Sequence, residues 1–166
     1  MKIRTYQSAD AQAVLALNSA NVPEVGEMDE AKLALFVEIS PFFKVVEAEG
    51  EVVGLLVGLT EQSTRYPSSN YQWFVDRHAK FSYIDRIAIA EVGRGRGWGP
   101  ALYKKFAAWA IENGSEWLCA EVNTEPDNPR SHRFHQLFGF TDVQRCRPYS
   151  PDGEVAMYEM PLAVHS

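Results

Sequence analysis

The stretch GRGRGWGPALY, residues 93–103, places four glycines and two arginines in seven positions and then passes into a helix-compatible run. Glycine reaches left-handed backbone angles without steric cost. A strand that empties through glycines into a helix presents N–H groups without intrahelical partners at the positive end of the helix dipole. That combination favours a phosphate, and Arg94 and Arg96 add charge to it. Gly97 and Gly99 are the positions expected to let a ligand approach the backbone. A solvated tight turn uses glycine equally well, so the spacing has to decide.

A Walker A loop needs Lys and then Ser or Thr after its last glycine, whereas Gly99 is followed by Pro100 and Ala101, so the metal-holding hydroxyl is missing. A dinucleotide fingerprint needs a third glycine where Leu102 stands, which leaves that reading only Glu121, near the usual acidic spacing.

Outward from the turn, FSYIDRIAIA (81–90) alternates as a strand, with Phe81, Tyr83, Asp85, Ile87 and Ile89 on one face. Leu102, Phe106 and Trp109 recur at helical spacing up to a stop at Asn113-Gly114. Upstream, residues 2–6 suit an edge strand. SADAQAVLALNSA (8–20) suits a helix capped by Ser8 or Asp10 with Val14, Leu15 and Leu17 on its stripe. A loop broken by Pro23 and Gly26 leads to a second helix in MDEAKLALFVEIS (28–40) that presents Leu33, Phe36 and Val37. Glu49-Gly50 joins strands at 42–48 and 51–59 into a hairpin, and residues 60–80 follow as a long polar and aromatic loop. Downstream come a buried strand in EWLCAEV, a short helix in NPRSHRFHQLF with Asn128 as cap and Pro129 at its first position, and closing strands in TDVQRC and EVAMYEM. The fold class is mixed α/β, of the α+β kind, and the length suits a single domain over residues 1–166.

Sixteen basic residues against 22 acidic ones give a net charge of −6. General affinity for nucleic acid or anionic membrane is thereby disfavoured, while a local basic pocket is not. The N-terminus lacks an apolar signal-peptide core and no run approaches the roughly 18 apolar residues of a membrane span. The chain therefore reads as cytoplasmic. Cys119 and Cys146 have no metal-ligand spacing and suit apolar filler in strands.

Arg94 to Gly99, RGRGWG, is similar to the Arg/Gln-x-x-Gly-x-Gly/Ala loop of the GCN5-related N-acetyltransferases (GNAT). Asn128, Ser131 and Gly139-Phe140 match that superfamily's later Asn-x-x-Ala-x-x-x-Tyr-x-x-x-Gly-Phe pattern. The resemblance extends over nearly the whole chain in element order, and YPSSNYQWF with YIDRIAI resembles a poorly characterised bacterial subgroup. It implies the acyl-CoA N-acyltransferase fold: a mostly antiparallel sheet, a parallel central pair splayed around acetyl-CoA, and helices on both faces. The implied activity is direct transfer of acetyl from acetyl-CoA to a primary amine in a ternary complex, without a metal. The implied cofactor site comprises Arg94, Gly95, Arg96, Gly97, Trp98 and Gly99 at the pyrophosphate, the backbone of Ile87, Ala88 and Ile89 along the pantetheine arm, and Asn128. Lys104 and Lys105 either add to that charge or form the wet face of the helix. Two alternatives stay open: a non-catalytic acyl-CoA sensor or partner-binding module, and a transferase of another acyl group.

Acetyl transfer needs a neutral amine, a polarised thioester carbonyl and a proton for the departing thiolate. The resemblance gives the carbonyl to an amide near Ile87. The family's acid is usually a tyrosine, and four residues before Gly139 this chain has His135. With an ordinary pKa of about 6.5, His135 as acid implies turnover that falls as pH rises through that value; packing beside the cofactor is the other reading. Asp85, among apolar residues of the central strand, is the candidate to bind a cationic amine or take its proton through water, with an arginine ion pair as the alternative. Asn128 before Pro129 also suits an ordinary helix cap. His132 and His135 share a helical face but lack a third ligand at recognisable spacing, so no metal is expected.

Tyr66, Tyr71, Trp73 and Phe74 crowd the 60–80 loop, either as a lid packed on the core or as a pocket wall. The segment Asn21 to Glu27 resembles, by position, the family's acceptor-side loop. Its Glu24 and Glu27, with Asp85, make an acidic mouth suited to a cationic amine, and Tyr83 and Trp73 complete the acceptor candidates. The expected partners are acetyl-CoA and a small amine or peptide, with a homodimer left open.

Overall fold

The computed structural model describes residues 1–125, 127–148 and 153–163. Along the chain run β1 (Lys2–Thr5), α1 (Ala11–Ala20), α2 (Glu30–Ile39), β2 (Phe42–Ala48), β3 (Glu51–Thr60), α3 (Ser69–Arg77), β4 (Phe81–Ile89), α4 (Trp98–Glu112), β5 (Trp117–Glu125), α5 (Pro129–Phe138), β6 (Thr141–Cys146) and β7 (Glu154–Pro161). The strands are hydrogen-bonded in the order β1-β2-β3-β4-β5-β7-β6. The β1–β2, β2–β3, β5–β7 and β6–β7 pairs are antiparallel, and β4 pairs with β5 in parallel through Phe81–Ile84 and Trp117–Ala120. The mixed, mostly antiparallel sheet expected from the sequence is the one found.

Two compact units make up the chain: Met1–Leu59 with Asp85–Phe106, and Thr60–Ile84 with Ala107–Ser166. In the first, Glu49 and Gly50 both take left-handed angles (φ 53° and 79°), the pairing a two-residue hairpin turn demands between twisted strands. Asp29 caps α2 by accepting from the Lys32 amide at 2.8 Å. Asp10 does not cap α1 as expected. Its carboxylate accepts instead from the Gln7 amide (2.8 Å) and from both terminal nitrogens of Arg4 (2.8 and 2.9 Å), and the guanidinium holds the carboxyl below its usual range. Val14, Leu17, Leu33 and Phe36 are buried, whereas Val37, expected on the same stripe, is 50% exposed. Gly58 leaves room for the Phe106 ring, which also packs 4.7 Å from the ring of Phe42.

The second unit corrects the reading of residues 60–80. Ser68 accepts from the Tyr71 amide at 3.2 Å and starts α3, so half of the supposed loop is a capped helix. Tyr71 and Phe74 are buried on it and lie within 5.7–6.4 Å, centroid to centroid, of Phe81 and Tyr83. The Tyr71 hydroxyl donates to the Thr60 carbonyl at 2.6 Å, so this buried polar atom has its partner. Further along, Asn113-Gly114 ends α4 as expected, with Gly114 at φ 82°.

A Cβ at Gly58 would stand 2.4 Å from Phe106. Gly58→Ala should therefore cost about 1–3 kcal/mol by overpacking, read as a lowered denaturation midpoint with an unchanged m-value. Gly50→Ala, with nothing near its side chain, should cost only the strain of its positive φ, about 1 kcal/mol.

Candidate active site

In the first unit, β4 ends at Ile89 and the chain turns through residues 91–93 before α4. The Ala90 amide donates to Val53 (2.8 Å), Gly93 to Ala90 (2.8 Å), Arg94 to Glu91 (3.1 Å) and Arg96 to Gly93 (3.2 Å). Gly95 and Gly97 sit at φ 79° and 80°, which costs any other L-residue but not glycine. The turn needs them. Gly93 is required for a different reason: a Cβ there would lie 2.3 Å from the Trp98 ring. Gly99, by contrast, has no positive φ, and a Cβ on it would meet only Ile87 Cδ1, at 3.9 Å. The fold makes no demand for glycine at this first-turn position of α4, although glycine weakens helices.

The Trp98 side chain is an anchor of the turn. Its indole is 6% exposed, lies on Gly93, and has the Arg96 guanidinium 5.7 Å from its ring centroid. Only its backbone N–H points to a role at the helix start. Pro100 brings no N–H of its own, and the Ala101 amide is used by Gly97. Arg94, Gly95, Arg96 and Gly97 are exposed, as are Lys104 and Lys105 on α4. Upstream on β4, Ile87 and Ile89 are half-buried and Ala88 is buried.

At Asp85 the arginine ion pair, the alternative expected for it, is found. Its side chain is buried in an ion pair with the neighbouring Arg86, Nε to Oδ2 at 2.9 Å, so its charge is neutralised on the spot. Glu24 and Glu27, expected to form an acidic mouth with Asp85, are both exposed. Arg86 was not singled out from sequence; it is the central donor of this region.

In the second unit, the Tyr83 ring is buried in the aromatic cluster and its hydroxyl donates to Glu121 Oε2 at 2.5 Å, so Tyr83 is no open pocket wall. Glu121, on β5, is half-buried and immediately follows Ala120, the register partner of Ile84. Trp73 is half-buried on α3, with Phe74 edge-on at 5.0 Å and the Arg77 guanidinium 5.4 Å from its ring. Asn128 caps α5: its Oδ1 accepts from the Ser131 amide at 3.3 Å, and Pro129 takes the first helical position.

His135 is 3% exposed. Its Nδ1 lies 2.7 Å from the Ser131 carbonyl, which can only accept, so Nδ1 carries the proton and Nε2 of the neutral ring does not. Burial lowers its pKa to about 4, against the raising influence of that carbonyl. With this tautomer the neutral ring carries no proton on Nε2. His132 is engaged as well. Its Nε2 donates to the Asn123 carbonyl (3.0 Å), which leaves Nδ1 to accept from the Tyr158 hydroxyl (2.7 Å). Among the described residues no group of three His, Cys, Asp or Glu is arranged to hold a metal, and no helix is long and apolar enough to cross a membrane.

The His135 burial has a measurable sign. Its folded pKa, about 4, lies below an unfolded value of about 6.5, so its contribution is complete above pH 6.5 and is lost as pH falls toward 4. Wild type should lose on the order of 3 kcal/mol over that window relative to His135→Phe, measured by denaturant unfolding at each pH. Parallel pH curves for the two proteins would contradict the assignment.

Residues 12–140 match the Acetyltransferase (GNAT) family. No curated protein matches the chain. Its fold is similar to the ribosomal-protein-S18-alanine N-acetyltransferase from Escherichia coli (TM-score 0.76, 14% identity, covering 99% of this chain and 96% of that one). It is also similar to Ard1 from Thermoplasma volcanium (TM-score 0.78, 21% identity, 98% and 97% covered). A third likeness is to Naa20 from Chaetomium thermophilum, solved with a bisubstrate analogue (TM-score 0.74, 18% identity, 98% and 87% covered). The match over residues 12–140 takes in both the glycine turn and the α5 motif, and the chain is an acyltransferase that belongs to the GNAT acetyltransferase family.

Proposed function

We propose that this chain, acting as one catalytic domain over residues 1–166, transfers acetyl from acetyl-CoA to a primary amine by direct attack. The observation that carries the reading is the turn before α4. Gly95 and Gly97 hold left-handed angles between Arg94 and Arg96, and Gly99 has no steric reason to be glycine. A bare first helical turn is what close approach of a pyrophosphate to the N–H groups of Trp98 and Gly99 requires. The GNAT family uses acetyl-CoA, and the exposed arginines supply positive charge on an otherwise acidic protein.

In this reading, the backbone of Ile87 to Ile89 lies along the pantetheine arm and one of its amides polarises the thioester carbonyl. With Asp85 engaged by Arg86, the proton lost by the amine passes through water, and the departing coenzyme A thiolate takes it up as the thiol. His135 is assigned packing against the Phe140 and Tyr158 rings, 5.1 and 5.4 Å from its own. Asn128 is assigned to the start of α5, with cofactor contact as a second task. Glu24, Glu27 and Trp73 are assigned to acceptor selection, through charge and aromatic surface.

The test is a screen of amines for thiol release from acetyl-CoA and from longer acyl-CoA esters, with mass identification of the product. An amide of acetyl supports the reading; thioester binding without release by any amine overturns it. For the cofactor turn, Gly97→Ala carries only the backbone strain of the positive φ, about 1 kcal/mol, whereas Gly97→Glu adds a side chain and a negative charge. Calorimetry should show acetyl-CoA binding weakened modestly by the first and abolished by the second. Equal affinity of Gly97→Glu and wild type would remove the assignment.

A further inference from the structure

Between α1 and α2, the chain is tied to β4 by a buried guanidinium. Arg86 is 5% exposed. Its Nη1 donates to Asn18 Oδ1 at 2.8 Å and to the Gly26 carbonyl at 2.9 Å, and its Nε donates to Asp85 Oδ2 at 2.9 Å. The same guanidinium lies 5.0 Å from the Phe36 ring centroid. Asn18, fully buried on α1, donates its own amide to the Gly26 carbonyl at 3.0 Å. One carbonyl in an exposed turn thus accepts from two buried donors.

A turn residue at the surface can use water for its carbonyl, and burying an arginine is costly unless its donors are met. The chain nonetheless directs Arg86 and Asn18 at the same Gly26 oxygen. The rigid planar fork of arginine serves several acceptors in fixed directions, which a lysine ammonium does not. The geometry thereby fixes the 21–27 segment relative to the β4 backbone one residue before Ile87.

We propose that Arg86 is a positioning residue: through Asn18 and the Gly26 carbonyl it sets the 21–27 segment against the amine acceptor, and so governs which amines react. This rests on the reading of Ile87 to Ile89 as the acyl-CoA strand. Arg86 neutralises Asp85, so the carboxylates that favour a cationic acceptor are those the segment itself carries, Glu24 and Glu27. Loosening the segment should then cost discrimination between charged and neutral amines rather than cofactor binding.

The experiment compares wild type with Asn18→Ala, with the isosteric Asn18→Asp, which keeps the Arg86 contact but loses the amide donor, and with Arg86→Lys. Each is measured for acetyl-CoA Kd by calorimetry, for KM and kcat with the fastest amine of the screen and its neutral analogue, and for amide exchange across residues 21–27. The expected result is faster exchange in that segment and a KM for the cationic amine raised about tenfold, the size of one charge-assisted hydrogen bond. Acetyl-CoA Kd should stay within about twofold, and Arg86→Lys should raise KM as Asn18→Ala does. Faster exchange with unchanged KM and unchanged amine preference would overturn the proposal, as would a Kd that rises in step with KM. A wild-type protein that binds no acetyl-CoA would instead sink the acetyl-transfer reading, before any variant is compared.

Discussion

The passage from β4 into α4 is held by a backbone constraint that side chains cannot replace. Two residues separated by one must adopt φ near +80°, and a third, Gly93, must leave a gap for an indole. Trp98 fills that gap and locks the turn from the inside, while Arg94 and Arg96 remain outside it. The first turn of α4 is consequently fixed in place with its N–H groups directed away from the helix, as a helix start always has them. A preorganised set of donors costs nothing to assemble when an anion arrives, which is why such turns suit phosphates.

The second fixed point in the same unit is ionic. Asp85 and Arg86 are sequence neighbours whose side chains nevertheless meet, and their pairing balances a buried negative charge on β4. From there, the polar chemistry reaches outward through Asn18 to the 21–27 segment. In the other unit, hydrogen bonds orient the polar side chains. Carbonyl partners fix which nitrogen of His132 and of His135 carries hydrogen, and a hydroxyl partner leaves Glu121 an acceptor. Histidine stands where the family pattern has a tyrosine, but its burial gives it the chemistry of a neutral, packed ring.

Local signals in the sequence were enough for much of this. The Glu49-Gly50 turn, the Asn128-Pro129 helix start, and the strand-turn-helix around residues 93–103 each depend on a few adjacent residues. Helix α3 was legible too, in Ser68 followed by Tyr71 and Phe74 three residues apart, but the aromatic and polar mixture masked the period. Long-range facts were not legible. Arg86 finds its acceptors 60 and 68 residues away, and neighbours on a strand ordinarily face opposite ways, so nothing local announces the pair with Asp85. The depressed pKa of His135 comes first from burial, which belongs to the assembled core and not to the motif around it.

The central claim is that the turn from Arg94 to Gly99 holds a pyrophosphate, and it is tested most directly by removing the pyrophosphate from the ligand. Calorimetry would compare acetyl-CoA with acetyl-pantetheine, which keeps the thioester arm and lacks the nucleotide. Loss of several charge-assisted hydrogen bonds predicts affinity weaker by about 100-fold or more. Equal affinity for the two ligands would show that the turn contributes nothing to binding and would contradict the account.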